Sequence, residues 1–236
     1  MRLFYDAHIE LDAATHQLSE EESKHIVRVL RMQEGDELAL VNGKGGYFET
    51  KISLAHPKRC QVEIVKTEQS EPLKHDLHIA LGPTKVMDRI EWFVEKATEI
   101  GITEISFIQG KNSERVKLKL DRIQKKVISA MKQSKRRFLP KINELISVSD
   151  FIQQHPNGLI AHCEEGEKST ISEAFRPVNC PILIGPEGDF TLDEIELAME
   201  NGYKTITLGE NRLRTETAAL YACVCAQLKI DLNKGE

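Results

Sequence analysis

Twice in its C-terminal half the chain leaves a short apolar strand through a compact loop and enters a helix. The first passage runs from Pro181-Ile182-Leu183-Ile184 through Gly185-Pro186-Glu187-Gly188-Asp189-Phe190 into Thr191-Leu192-Asp193-Glu194. Thr191 and Glu194 have the spacing of a capping box, in which two side chains satisfy each other's free backbone amides at a helix start. The second runs from Lys204-Thr205-Ile206-Thr207-Leu208 through Gly209-Glu210-Asn211-Arg212-Leu213-Arg214, and Thr215 reads as the cap of the last helix. A strand that turns straight into a helix must cross back over its sheet, so such units build an α/β domain with a largely parallel sheet. Ligands of such sheets sit beyond the carboxyl ends of the strands. Glycines there let a ligand approach main-chain amides. Taken singly, each loop could also be a plain turn, with its arginines merely solvated.

The rest of the chain fits this frame. Residues 37–41, 47–54 and 60–65 alternate like strands, and Asn42-Gly43-Lys44-Gly45-Gly46 reads as a turn. Residues 19–31 read as a helix with Ile26, Val27 and Leu30 on one side. The polar stretch Glu68-Gln69-Ser70-Glu71-Pro72 reads as a linker. Beyond it, strands at 77–81, 104–108, 158–162, 181–184 and 204–208 alternate with helical stretches. Val86, Ile90, Phe93, Ala97 and Ile100 mark one such helix, which Gly101 stops, and residues 118–133 form another. The expected organisation is a small β domain over residues 1–70 and an α/β domain over residues 73–236. His78, inside an alternating strand, is expected to be structural.

Net charge is −5 over 236 residues, yet residues 111–141 hold twelve Lys or Arg against Glu114 and Asp121. A local basic field matters more to a polyanion than the total, so this segment is a candidate phosphate-binding surface. A solvated helix face is the alternative. The five cysteines, Cys60, Cys163, Cys180, Cys223 and Cys225, form no C-x-x-C pair and read as buried free thiols. No metal site, membrane span or secretory signal is expected, which points to the cytoplasm. A dinucleotide G-x-G-x-x-G, a P-loop and a nucleophile elbow are all absent.

The two strand-exit loops together resemble those of the SPOUT methyltransferases, and within them the RsmE family, which methylates N3 of a uridine in small-subunit ribosomal RNA. Gly185-Pro186-Glu187-Gly188-Asp189-Phe190 is similar to its G-P-E-G-G-F, and Leu208-Gly209 through Leu213-Arg214-Thr215-Glu216-Thr217-Ala218 to its L-G-x-x-I-L-R-T-E-T-A. Lys85 with Glu95-Lys96-Ala97-Thr98-Glu99-Ile100-Gly101 resembles its K-A-T-E-L-G element, Ser113-Glu114-Arg115 its E-R loop, and Gln133-Ser134-Lys135-Arg136 with Pro140 its Q-S-G-R…P run. His25, Arg28-Val29-Leu30-Arg31 and Gly35-Asp36 resemble its N-terminal barrel. Lys135 and Asp189 stand where glycine is usual or frequent, and Arg212 where an aliphatic residue is usual. The Lys135 change reads as added charge and nothing more.

The resemblance implies a C-terminal trefoil-knot domain with a mostly parallel sheet, preceded by a small PUA-like β-barrel. It implies S-adenosyl-L-methionine as cofactor, small-subunit (16S) ribosomal RNA or the assembled small subunit as partner, and a homodimer. Backbone groups of Gly185, Gly188, Leu208, Gly209 and Leu213 would line the cofactor pocket, and Arg28, Arg31, Arg115, Arg136 and Arg137 would touch RNA. Arg214 would stabilise charge on the uracil, with Glu216 as a base or as an orienting group. A first-turn glutamate favouring the helix dipole is the plainer reading of Glu216. Other readings stay open: a ribosome-associated RNA-binding protein without catalysis, a SPOUT enzyme acting on a different RNA, or a nucleotide hydrolase, which the missing Lys-Ser/Thr pair disfavours.

Overall fold

The computed structural model describes residues 1–114 and 117–233. They form two compact units, one of Met1–Pro72 with Met131–Leu139, the other of Leu73–Ala130 with Pro140–Glu236. Residues 131–139, assigned by sequence to the second domain, thus group with the first.

The first unit is a five-stranded sheet in the order β1-β3-β4-β5-β2, with β1 Leu3–Tyr5, β2 Thr15–Gln17, β3 Glu37–Val41, β4 Gly46–Leu54 and β5 Gln61–Gln69. Phe4 from one edge strand and Leu18, just past the other, share a core with Leu38, Leu40, Phe48 and Val62. The expected linker begins later than the sequence suggests. Glu68 and Gln69 are still in β5, because their backbones pair with Tyr47 and Gly46.

The expected helix over 19–31 is shorter and irregular. Ser19 caps α1 (Glu20–Lys24) by accepting from the Glu22 amide, and the chain then widens into a π-helical turn over His25–Val29. The Leu30 amide reaches back five residues to the His25 carbonyl at 2.9 Å. That wider turn keeps Ile26 in the core and leaves Arg28 and Val29 exposed. Arg31, also exposed, is left-handed at φ 56°.

The second unit is a seven-stranded sheet in the order β10-β12-β9-β11-β6-β7-β8, and every pairing in it is parallel. Its strands are β6 His78–Leu81, β7 Glu104–Gln109, β8 Lys141–Ser147, β9 Leu159–Ala161, β10 Ser169–Thr170, β11 Ile182–Ile184 and β12 Lys204–Thr207. Its helices are α2 Met87–Ile100, α3 Leu120–Gln133, α4 Val148–Gln154, α5 Ile171–Ala174, α6 Leu192–Glu200 and α7 Thr215–Asn233. Strands buried on both faces read as unbroken apolar runs, which is how β6 and β11 look in the sequence. One face of the sheet, through Ala80, Ile160 and Leu183, shares a core with Phe151, Ile152, Ile195 and Ala198 of α4 and α6. Helix α7 packs on α2, α5, β6 and β11. No helix of the described residues is long and apolar enough to cross a membrane.

The Lys135 substitution has a backbone consequence. The Arg136 amide bonds Met131 O at 3.0 Å and the Lys135 amide bonds Lys132 O at 3.3 Å, the bond pair that closes a helix with a left-handed residue. Lys135 is that residue, at φ 57°. Glycine takes this conformation freely, whereas a side chain there costs about 1 kcal/mol. The change is therefore not only one of charge.

His78 is structural, as its pattern suggests. It is buried, its Nε2 lies 2.8 Å from Ser106 Oγ, and its ring stands edge-on to Phe151 and His155. Burial pushes its pKa down to about 4 from the ordinary 6.5. Because the folded pKa is depressed, this stabilisation is full above pH 6.5 and is lost as pH falls towards 4. The loss should reach about 3 kcal/mol at most. Thermal unfolding of His78→Phe should show a smaller fall in midpoint across this window than the parent. An equal fall would assign the acid sensitivity to other groups.

Candidate active site

Three neighbouring strands of the second unit end side by side. Ala161 of β9 is in register with Ile184 of β11 and with Ile206 of β12. Their exits form three adjacent loops at the carboxyl edge of the sheet, where α/β proteins place ligands. Sequence reasoning found two of them, after β11 and β12. It missed the loop after β9, which carries no glycine pair or arginine cluster and is marked only by its neighbours in the sheet.

The loop after β11 is held from several directions. Asp189 is left-handed at φ 59°, which explains why glycine suits this position. Its Oδ1 accepts from its neighbour Phe190's amide, and its Oδ2 accepts from the Cys163 amide at 2.7 Å, tying this loop to the one after β9. Asn112 Nδ2 donates to Gly188 O at 2.9 Å and Asp189 O at 3.2 Å, and the Lys85 amide donates to Glu187 Oε1 at 3.0 Å. The expected capping box is present on α6, and Glu194 Oε1 also accepts the Lys111 amide at 2.9 Å. Gly185 is buried, while Gly188 is exposed. A Cβ on Gly82 would fall on Pro186 N and lie 2.7 Å from Pro186 Cδ, so the exits of β6 and β11 touch through a residue that must be glycine.

The loop after β12 turns at Gly209, where φ is 105° and the amide donates to Thr207 Oγ1 at 3.2 Å. Leu208 and Leu213 are half-buried, and Gly209, Arg212 and Arg214 are exposed. Thr215 does not cap α7. It is buried as the helix's first residue, and Ala218 N–H bonds to Arg214 O at 2.8 Å, so Arg214 occupies the capping position. The Arg214 guanidinium therefore leaves the helix start with no ion pair or hydrogen bond among the described residues. Glu216 is buried. Its Oε1 lies 3.6 Å from Arg89 Nε on α2, and its Oε2 is shielded from water without a hydrogen-bond partner among the described residues. A glutamate that served only the helix dipole would keep its oxygens in water.

The basic segment is less free than its composition implies. Lys111 pairs with Asp193, Arg122 with Asp88 and Glu91, Lys126 with Glu95, Lys132 with Glu22, and Lys141 with Glu104. Arg137 donates to Glu68 at 2.7 Å and Ser70 at 3.3 Å and lies 4.6 Å over the Tyr47 ring. Arg115 lies outside the described residues. Among the cysteines, Cys60, Cys180 and Cys223 are buried and Cys225 half-buried, but Cys163 is exposed, against expectation, because it follows β9 into the loop at the sheet edge. The described residues contain no group of three or more His, Cys, Asp or Glu that could hold a metal ion.

Residues 70–227 match the RNA methyltransferase domain family and residues 18–65 the RNA methyltransferase PUA domain. The ribosomal RNA small subunit methyltransferase E of Bacillus subtilis is 31% identical, over 95% of this chain and 94% of that protein. The chain belongs to the ribosomal RNA small subunit methyltransferase E family. A crystal structure of a probable rRNA-methyltransferase from Porphyromonas gingivalis is 38% identical and superposes with a TM-score of 0.90, covering 99% of this chain and all of that one. The family member from Neisseria gonorrhoeae, solved bound to S-adenosyl methionine, is 26% identical with a TM-score of 0.84 over 97% of each chain. The fold class that the family resemblance implies therefore stands: a PUA-like β unit and a SPOUT-class α/β unit in an RNA methyltransferase.

Proposed function

We propose that the protein transfers the methyl group of S-adenosyl-L-methionine to N3 of a uridine in small-subunit ribosomal RNA, in the cytoplasm. The observation that carries this reading is Arg214, exposed at the end of one of three adjacent strand-end loops with no ion pair or hydrogen bond among the described residues, two residues from the buried Glu216. The loops suit the cofactor: Gly185, Gly188, Leu208, Gly209 and Leu213 would hold it through backbone groups, and the unmet ring nitrogens of His162, in the loop between them, support a polar occupant. When bound, the cofactor supplies an electrophilic methyl group.

The protein's own residues must then deal with the uracil. N3 carries a proton and becomes nucleophilic only when that proton leaves and the charge spreads onto the flanking oxygens. Arg214 stays charged at any working pH and offers a planar fork of donors, so it suits holding that charge rather than taking a proton. Glu216, with one oxygen near Arg89 and one orphaned, is the candidate acceptor for the N3 proton.

RNA contact is assigned to Arg28, Arg31 and Arg136, with Arg115 kept from the sequence pattern. Arg137 is already committed to Glu68, Ser70 and Tyr47, and we give it a structural role. Arg136→Ala should weaken RNA binding and flatten its salt dependence by releasing fewer counterions. Arg137→Ala should instead lower the unfolding midpoint, by about 1 kcal/mol in stability. Filter binding over a salt series and thermal melts of both variants separate the two roles. The opposite pattern would exchange the assignments.

A homodimer fits the last helix. Tyr221, Val224, Leu228 and Leu232 are exposed on α7 at three- and four-residue spacing, and Trp92 is exposed on α2, against which α7 packs. An apolar stripe of this kind is what a second copy covers. Incubating ribosomal RNA and assembled small subunits with enzyme and cofactor, then locating the modified nucleotide by mass spectrometry, tests the whole reading. Methylation at a position other than uridine N3 would correct the chemistry.

A further inference from the structure

The loop after β9, to which sequence gave no role, begins with an unusual histidine. Both ring nitrogens of His162 are shielded from water, and neither meets a hydrogen-bond partner among the described residues. Its place is fixed at both ends. Ala161 before it is paired in the sheet with strands on both sides. Its own carbonyl accepts from Lys168 Nζ at 2.7 Å, and the next amide, of Cys163, donates to Asp189 Oδ2 at 2.7 Å. These ties hold the backbone, so a turn of the ring about its own side-chain bonds is the movement left to bring a nitrogen to a partner. Burial, helped by Lys168, holds its pKa below the ordinary value, which favours the neutral ring with one N–H and one lone pair. Leaving both unmet carries a penalty that native proteins rarely accept without a reason.

The reason lies in the strand order: His162 leaves β9 between β11, whose loop carries Gly185 and Gly188, and β12, whose loop carries Leu208 and Gly209. We infer that the His162 imidazole hydrogen-bonds the adenosine portion of S-adenosylmethionine and sets how tightly the cofactor is held. A ring with one donor and one acceptor matches adenosine, whose ribose hydroxyls and adenine ring offer both. The methionine end fits less well, because its carboxylate only accepts and its ammonium only donates. The inference rests on the cofactor reading above and adds a side chain to a site otherwise drawn from backbone groups.

Calorimetric binding of S-adenosylhomocysteine and of adenosine to the wild type, His162→Leu and His162→Gln tests it without turnover. Leucine keeps the bulk and removes both hydrogen-bonding atoms, while glutamine restores a donor and an acceptor. His162→Leu should bind both ligands about tenfold more weakly, by the same factor, and His162→Gln should recover most of the loss. In nitrogen-detected NMR of the histidine-labelled wild type, S-adenosylhomocysteine should shift the His162 ring nitrogens, a readout that does not depend on any variant folding. Leucine binding within twofold of wild type, or adenosine unaffected while S-adenosylhomocysteine weakens, would overturn the contact. A wild type that binds neither ligand would remove the cofactor reading itself, and this inference with it.

Discussion

Arg214→Lys is expected to slow single-turnover methyl transfer by about tenfold to a thousandfold, the range typical when one preorganised donor to developing charge is lost. The substitution keeps the positive charge and loses the planar fork, so it isolates geometry from electrostatics. S-adenosylmethionine binding should hardly change, because the guanidinium makes no ion pair or hydrogen bond to the loops among the described residues. Glu216→Gln provides the companion measurement. If Glu216 accepts the N3 proton, the amide should cost as much as the arginine change and should remove a limb from the pH–rate profile. If Glu216 only positions Arg89 at 3.6 Å, the loss should be smaller and the profile should keep its shape. Full activity in Arg214→Lys would show that the residue serves only to begin the helix.

Gly188→Val should weaken S-adenosylmethionine binding by about tenfold to a hundredfold, as follows from 1–3 kcal/mol of overpacking. From sequence, the glycines of this loop have only the role of letting a ligand approach main-chain amides. The structure gives a different cause. A Cβ on Gly188 would stand 2.9 Å from Asn112 Cβ and 3.3 Å from Asn112 O, on the loop whose side chain donates to Gly188 O and Asp189 O. The valine therefore pushes the loop off its anchor. Gly188→Ala adds only the first carbon of that side chain and keeps the Asn112 anchor, so it should lose less affinity than Gly188→Val. Calorimetry with circular dichroism as a folding control reads both effects. Unchanged affinity in a folded Gly188→Val protein would take this loop out of the site.

Much of this was legible in the chain. The apolar runs that became β6 and β11, the capping box at Thr191 and Glu194, and the stop at Gly101 are local signals, each set by a few neighbouring residues. The same holds for the two strand-exit loops, whose glycines and arginines are concentrated in short stretches. Elements with weaker local signals were missed. Strands β1, β2 and β10 have only two or three residues, and β8 and α4 follow one another without an intervening loop. Thr215 looked like a cap because threonine caps helices often, yet the chain enters α7 one residue earlier, through Arg214.

By itself, then, the sequence determined the α/β class, the small β unit before it and the family, because periodicity, caps and motif spacing are short-range properties. Strand order was decided only in three dimensions. β11 lies between β9 and β6, and β12 between β10 and β9, so residues far apart in the chain end at one sheet edge. That order brings His162 beside the two glycine-bearing loops and ties Cys163 to Asp189. Charge behaved likewise. Twelve basic residues between positions 111 and 141 look like an open phosphate surface in one dimension, but six of them meet carboxylates from elsewhere in the fold. A one-dimensional count cannot see that, because an ion pair depends on distance in space, and only packing sets that distance.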